Sequence, residues 1–146
     1  MSALENIADR VAILDLYSRY CFAIDASDAG AFGDCFLPDG VFDVVDRGTF
    51  AGREAIENMI TATAEGRPRH MYMNPWIQQV DGDAATATAY FLVLNPANGE
   101  NMGYGHYEDD LVRDGDGAWR WRTRRVVFEW TSAAYAGRGT NPDTDA

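Results

Sequence analysis

Lysine is absent from this sequence of 146 residues, and all twelve basic residues are arginine. Schiff-base catalysis and covalent attachment of pyridoxal phosphate both require a lysine amine. The phosphate-binding loop of many nucleotide hydrolases also depends on a lysine. The composition therefore excludes these three mechanisms.

Cysteine and histidine are scarce as well, with two of each: Cys21, Cys35, His70 and His106. The cysteines form no C-x-x-C pair, and no Cys/His cluster surrounds them, which argues against a zinc site or a redox motif. Both lie among apolar residues of predicted helices, a setting typical of buried free thiols rather than a disulfide. We expect neither a metal nor a cofactor.

Long apolar runs and excess positive charge are also missing. No run reaches the roughly 18 apolar residues of a membrane-spanning helix, and residues 1–5 lack the basic and apolar regions of a secretory signal. The formal net charge of −11 argues against nucleic acid and anionic membrane surfaces as partners. We therefore expect a cytoplasmic protein that binds neither of them.

Helical periodicity dominates the first half of the chain. Apolar residues recur at three- and four-residue steps from Leu4 onward, which predicts a long helix, buried on more than one side, that ends at Ile24 or Asp25. A short second helix, capped by Ser27 or Asp28, is predicted to contain Phe32, Cys35 and Phe36 and to end in a turn at residues 38–40. A third helix follows Gly52.

Sheet patterns dominate the second half. Strands are predicted over residues 41–45, 70–80, 84–94, 102–112 and 118–130, and Pro75 indicates a bulge or a sheet edge. Helices followed by an antiparallel meander define the α+β class. Small residues allow the long strands to bend, and a bent sheet over helices encloses a cavity suited to a ligand. We predict a single domain over residues 1–130 and a flexible tail over residues 131–146.

Asp25 and His70 are the candidates for catalysis. The first helix ends at Asp25 and the first long strand begins at His70, so packing of that helix across a bent sheet would bring the two together. The carboxylate would then accept a hydrogen bond from one ring nitrogen, and the other nitrogen would face the cavity as a general base. The alternative is a core histidine beside an aspartate that only caps the helix end.

Several short segments, in their order and spacing, resemble a SnoaL-like domain. They span residues 11–127 and read ILDLYSRY at 13–20, AID at 23–25, FLPDG at 36–40, GREAI at 52–56, RH at 69–70, NP at 74–75, DGDA at 81–84 and WR at 119–120. The resemblance implies the nuclear-transport-factor-two-like, or cystatin-like, superfamily. Its fold is a cone-shaped barrel in which N-terminal helices pack on a strongly bent, mainly antiparallel sheet.

Superfamily members similar to this chain include polyketide cyclases, scytalone dehydratase, bile-acid dehydratase and hexachlorocyclohexane dehydrochlorinase. Several use an Asp–His pair without a cofactor, so the resemblance implies a lyase or isomerase that removes a proton from a hydrophobic cyclic molecule. It assigns Asp25 and His70 to that pair and Arg124 to stabilising the leaving group, with Arg125 one register step away. Non-catalytic binding modules and accessory subunits of the same fold are the alternative. An epoxide hydrolase would need an Asp–Arg–Asp arrangement that the sequence does not place.

Tyrosines and other aromatics complete the set of candidates. Tyr20 and Tyr107 are predicted to bind substrate, and bile-acid dehydratase resembles this chain in carrying a tyrosine at the position of Tyr20; core packing is the alternative for both. His106 shares a strand face with Glu108 and is expected to face solvent, with a second catalytic histidine as the alternative. Large aromatics on the outer sheet face suggest a subunit interface, so we expect a homodimer or homotrimer.

Overall fold

A computed structural model, which describes residues 3–62 and 67–136, contains three helices and six strands. Two helices come first, the third helix follows the second strand, and four long strands come after it. The helices are α1 (Ala3–Asp25), α2 (Ala29–Gly33) and α3 (Arg53–Ala62). The strands are β1 (Phe36–Val44), β2 (Gly48–Ala51), β3 (Arg69–Asp81), β4 (Ala84–Leu94), β5 (Asn101–Arg113) and β6 (Trp119–Thr131). The predicted α+β class is confirmed, and each long strand begins and ends within one residue of its prediction.

The strands form one open sheet in the order β2-β1-β6-β5-β4-β3. Neighbouring strands are antiparallel except β1 and β6, which run parallel. Register shifts interrupt the long pairs, and one of them falls between Met73 and Trp76, where Asn74 has φ 52° and Pro75 follows. This confirms the predicted bulge. Bulges bend the strands that carry them, and the sheet curves around the helices without closing into a complete barrel.

A second bulge determines which residues of β6 face the core. Leu111 pairs with Trp121 and Asp110 with Thr123, so Arg122 is an extra residue on β6. Before it, the odd-numbered Trp119 and Trp121 are buried; after it, burial moves to even numbers. The inward-facing side of the strand therefore shifts by one residue at Arg122.

Helix α1 lies across the concave face of the sheet. It contains neither glycine nor proline, and its core-facing side chains recur at helical spacing: Ile13, Leu16, Tyr17, Tyr20 and Ile24, each at most 6% exposed. Burying a side chain of this size stabilises the fold by about 1.5–3 kcal/mol. The prediction of burial on several sides is wrong near the N-terminus, because Leu4, Ile7 and Val11 are exposed.

Polar contacts also fasten α1 to the sheet. The buried Asp9 carboxylate accepts two hydrogen bonds from Arg113, at 2.8 and 3.0 Å, and one from the Trp119 indole at 3.0 Å. Arg10 donates to the carbonyl of Ile77 on the edge strand β3. Within the described residues, no helix, α1 included, is long and apolar enough to cross a membrane. The cytoplasmic location stays a prediction.

The segment after α2 differs from its prediction. Asp28 caps α2 by accepting a hydrogen bond from the Ala31 amide, but the helix ends at Gly33, before Cys35 and Phe36. Residues 38–40, predicted as a turn, belong to β1 because hydrogen bonds to both neighbours draw this segment into the sheet: Trp121 N–H donates to Cys35 O, and Gly52 N–H donates to Gly40 O. A register shift between Phe36 and Val41 marks the irregularity.

The chain stays packed on the domain beyond the predicted start of the tail at residue 131. Strand β6 includes Thr131, and Tyr135 is only 8% exposed, with its ring 5.8 Å from that of Phe128. Residues 137–146, the rest of the predicted tail, lie outside the described residues.

A substitution at Gly105 can test the bulge between Tyr104 and Gly105, where the pairing of β5 with β6 shifts register. A Cβ at this position would lie 1.9 Å from the Val127 carbonyl oxygen. Because that atom is backbone, we expect Gly105→Ala to lower the free energy of unfolding by about 2–3 kcal/mol. Gly115→Ala, where a Cβ meets nothing within 4 Å, is the matched control and should change it by less than about 1 kcal/mol. Urea denaturation measures both, and equal stabilities would contradict the bulge geometry.

Candidate active site

A cavity of about 330 Å³ opens between the helices and the concave face of the sheet. Its walls are mainly aromatic: Tyr20, Phe42, Phe50, Phe91, Tyr107 and Phe128. Two arginines and a histidine, namely Arg47, Arg67 and His70, also line the cavity. The volume lies at the lower end of the range for ligand pockets, about 300–1,000 Å³. A mostly apolar cup with a few polar groups is the usual form of a small-molecule site.

Asp25 and His70 form a hydrogen-bonded pair at this cavity. The Asp25 carboxylate lies 2.8 Å from His70 Nδ1, and it also accepts hydrogen bonds from the His70 backbone amide at 3.0 and 3.2 Å. Both side chains are nearly buried, 12% and 10% exposed respectively. The structure therefore brings together the two residues that the sequence predicted.

The position of Asp25 is unfavourable for a carboxylate on local grounds alone. As the last residue of α1, it lies at the negative end of the helix dipole, which disfavours an anion by about 0.3–1 kcal/mol. The three contacts with His70 offset this cost, because a carboxylate that accepts hydrogen bonds is stabilised in its charged form. A local conflict of this kind is typical of a functional position.

The contact with Asp25 also determines the tautomer of His70. An ionised carboxylate can only accept, so Nδ1 carries a proton, and in the neutral imidazole Nε2 then keeps the lone pair. His70 lines the cavity, and Nδ1 is occupied by Asp25. Nε2 is thus the ring atom available to a ligand as a proton acceptor.

Tyr20 and Tyr107 line the cavity as predicted. Both are almost fully buried, at 2% and 1% exposure, and their rings pack edge-to-face at 5.9 Å. Burial raises the pKa of Tyr20, and burial together with the nearby Tyr20 raises that of Tyr107. Both phenols therefore stay protonated near neutral pH and can serve as hydrogen-bond donors.

Arg124 does not occupy the predicted place beside a leaving group. It is completely buried and is not part of the cavity wall. Its guanidinium makes a bidentate pair with Asp109, at 2.9 and 2.7 Å, and Asp109 also accepts a hydrogen bond from Tyr17. Burial disfavours the charge, but the Asp109 carboxylate outweighs it and raises the pKa of Arg124. A ligand in the cavity cannot reach this cation.

Aromatic rings surround the Arg124 guanidinium. Its central carbon lies 3.7 Å from the centroid of Trp121, 3.8 Å from Tyr107 and 4.4 Å from Tyr20. Nη1 has no hydrogen-bond acceptor within the part of the chain that the structure describes, so these ring faces provide its surroundings. Two of the rings belong to cavity-lining tyrosines, and Arg124 therefore lies behind the cavity wall.

Arg125 and His106 do not stabilise a leaving group in place of Arg124 either, because both lie on the outer face of the sheet. Arg125 is on the outer face, where it pairs with Glu108 at 2.9 Å. Arg124 contacts a single carboxylate, that of Asp109, among the described residues, so no Asp–Arg–Asp arrangement forms around it. His106, as expected, lies on the outer face, 2.9 Å from Glu129 and 3.5 Å from Glu108.

The thiols have no part in the cavity. Both cysteines are buried and free, as predicted. Burial raises the pKa of Cys21 to about 12 and that of Cys35 to about 11, so both stay protonated and are poor nucleophiles. Residues 3–62 and 67–136 contain no cluster of three or more metal-ligating side chains.

Among the cavity residues that sequence reasoning missed are both arginines of the wall, Arg47 and Arg67. Arg47 follows β1 in the turn before β2, and Arg67 lies just before β3. Both lie outside the predicted helices and strands. The only signal in the sequence is that each arginine precedes a residue typical of turns, Gly48 or Pro68. This signal is weak, because strand periodicity does not indicate where a side chain in a turn points.

The fold and cavity define a class of protein, an open α+β cone of cystatin-like architecture with a ligand-sized cup. The chain belongs to the SnoaL-like domain family, which matches residues 5–125. The predicted resemblance is confirmed. Among curated proteins, none matches this chain in sequence.

Solved structures agree with this assignment. A protein of unknown function from Mycobacterium tuberculosis is 32% identical, with 88% of this chain and 77% of that chain covered at a TM-score of 0.81. An NTF2-like protein with a cystatin-like fold from Novosphingobium aromaticivorans is 28% identical, with 90% and 89% covered at 0.79. LinA is 23% identical, with 97% and 99% covered at 0.79, and shares the fold.

Removing one partner of the buried pair of Arg124 and Asp109 is expected to destabilise the fold strongly. Asp109→Ala leaves the guanidinium buried without its counter-charge and should lower the free energy of unfolding by about 3–5 kcal/mol. The matched control is Glu108→Ala, which breaks the exposed pair with Arg125 one residue away and should have far less effect. The double variant Asp109→Leu, Arg124→Met should recover most of the loss. Chemical denaturation measures all three, and equal losses for the two single variants would contradict this role.

Proposed function

We propose that the protein is a cofactor-independent lyase or isomerase, in which His70 removes a proton from a hydrophobic cyclic small molecule. The observation that carries the proposal is the contact of 2.8 Å between Asp25 and His70 Nδ1 at the wall of an aromatic cavity. Dehydration, dehydrohalogenation, cyclisation and isomerisation can all begin with such a proton transfer. The reaction belongs to one of these types.

Proton transfer would proceed from the ligand to His70 Nε2. As the imidazole gains its proton, it becomes a cation, and the Asp25 carboxylate stabilises that cation across Nδ1. Because the pair is nearly buried, the attraction is screened less than it would be in water. Asp25 therefore acts on the reaction in two ways, by orienting the ring and by stabilising its protonated form.

Negative charge that develops on the ligand would be met by the tyrosines. Tyr20 and Tyr107 line the cavity with protonated phenols, which can donate to an oxygen as it becomes anionic. Arg124 lies behind their rings, at 4.4 and 3.8 Å. We assign it a positioning role through these tyrosines, in place of direct contact with the leaving group.

A general probe can test His70 as the base. 5-Nitrobenzisoxazole opens when a base removes one ring proton, and the phenolate product is followed by absorbance. We expect the protein to accelerate this opening and His70→Ala to reduce the rate about 10²–10⁴-fold, the usual contribution of a general base. Asp25→Asn should also slow the reaction, because the amide no longer stabilises the imidazolium.

His106→Ala is the matched control, since it removes the chain's other histidine from the outer face. It should leave the rate unchanged. If wild type and His70→Ala open the probe equally fast, the proton-transfer proposal fails. The alternative, a small-molecule binding module or accessory subunit without its own chemistry, would then be preferred.

We further propose that the protein is a homo-oligomer formed through the outer sheet face. Directly paired residues place an apolar row across four strands, Met71–Leu92–Tyr104–Trp130, and a second row, Met73–Tyr90–His106–Val127, beside it. Tyr90, Tyr104 and Trp130 are each 43–55% exposed. Exposed aromatics on this scale usually mark a protein interface.

Light scattering during size-exclusion chromatography tests the oligomer. We expect wild type to elute as a dimer or trimer, and Tyr104→Glu, Trp130→Glu to elute as a monomer because two buried charges would disfavour the interface. Phe22→Glu, an exposed aromatic on α1 at 77% exposure, is the control and should not change the mass. A monomeric wild type would refute the proposal.

A further inference from the structure

The charges that line the cavity are opposite in sign to those of the protein as a whole. The chain carries a net charge of −11. In contrast, the charged side chains on the cavity wall, within the described residues, are Arg47 and Arg67, and no aspartate or glutamate joins them there. Local potential in a cleft depends on its own lining more than on the distant surface. The cavity is therefore suited to an anion in spite of the acidic surface.

Arg67 is held at the dyad end of the cavity. Its Nε donates to the Ser27 hydroxyl at 2.9 Å, and its Nη2 donates to the Ile60 carbonyl. Ser27 lies two residues after Asp25, and Arg67 precedes His70 by three residues. These contacts join the end of α1 to the end of α3 and fix the guanidinium in place.

Arg47 is held at the cavity wall by aromatic rings. Its guanidinium lies 4.3 Å from the centroid of Phe128 and 4.7 Å from that of Tyr135. Such stacking fixes the plane of the group and directs its hydrogen bonds, among them one with Tyr135, through its edge. Tyr135, which also lines the cavity, interacts electrostatically with both arginines. The two cations and the phenol therefore form one cluster on the wall.

An anion at this cluster would offset a cost that burial imposes. Burial lowers the pKa of Arg47 and of Arg67 by more than Tyr135, and for Arg67 also Asp25, raises it, so loss of hydration disfavours their charges. A carboxylate accepts from arginine in a planar, often bidentate geometry and restores the lost stabilisation. The remaining walls are aromatic and aliphatic, so they match an apolar ring system attached to that anion.

We propose that the cavity binds a small, largely apolar cyclic molecule that carries one carboxylate, held by Arg47 and Arg67. The inference rests on the proposed function only in placing the substrate in the same cavity as His70. It narrows the substrate class from hydrophobic cyclic molecules to cyclic carboxylic acids. The carboxylate would lie toward the end of the cavity where Arg67 adjoins the dyad.

Isothermal titration with matched pairs of probes tests this subsite. Benzoate is compared with benzamide, and 2-naphthoate with 2-naphthamide, since each amide keeps the shape and removes the charge. We expect at least one carboxylate to bind wild type ten-fold or more tightly than its amide. Arg47→Gln and Arg67→Gln should each remove most of that preference, and Arg122→Gln, an exposed arginine of β6, should keep it.

Arg67→Gln also breaks contacts within the fold, so Arg67→Lys, which restores the charge, accompanies it and should recover part of the preference. Arg47→Gln and the wild-type comparison do not depend on those contacts. Equal affinities for carboxylate and amide, absence of carboxylate binding, or a preference that survives Arg47→Gln would overturn the proposal.

His70→Ala separates this inference from the proposed function. It should keep the preference for the carboxylate, because the two arginines remain, while losing proton transfer. A carboxylate preference without His70-dependent opening of 5-nitrobenzisoxazole would uphold the anion site and defeat the proton-transfer role. The reverse result would uphold the base and defeat the anion site.

Discussion

The buried ion pair between Asp109 and Arg124 is the interaction on which the rest of the structure depends. It joins β5 to β6 at the centre of the sheet, and Tyr17 of α1 donates to the same carboxylate. Asp25 follows Tyr17 by eight residues on one continuous helix, about 12 Å along its axis. Anchoring Tyr17 therefore also determines where Asp25 meets His70. The buried pair of Asp109 and Arg124 therefore influences the cavity by fixing the position of α1.

Most of the fold follows from periodicity. The pairing of Asp25 with His70 does not, because the resemblance to SnoaL-like domains assigned it. Period-two alternation predicted the ends of the long strands to within one residue, and the helical pattern up to Ile24 predicted the end of α1. The dyad could be predicted as a candidate because its members lie at element ends, where a helix and a strand meet once they pack. The segment at residues 38–40 could not, because turn residues there are held in the sheet by bonds to distant strands.

The arginines show where such reasoning stops. A single extra residue, Arg122, shifts the inward face of β6, so Arg124 faces the core and Arg125 faces solvent. No pattern in the sequence places that bulge. Arg47 and Arg67 lie in connections, where no period links one side chain to the next. The sequence analysis thus predicted correctly that an arginine belongs to the cavity, but it chose Arg124 instead of Arg47 and Arg67.

The parallel pairing of β1 with β6 has a consequence for how the chain folds during translation. β1 ends at Val44, whereas its partner begins at Trp119. As the nascent chain leaves the ribosome, the helices and β1 emerge long before β6, the strand that pairs with β1. Until then the aromatic face of α1 is uncovered. Completion of the sheet is therefore a late, long-range step, the kind that is slow and prone to aggregation. The cavity forms only when β6 pairs with β1, so it is absent from the incomplete chain.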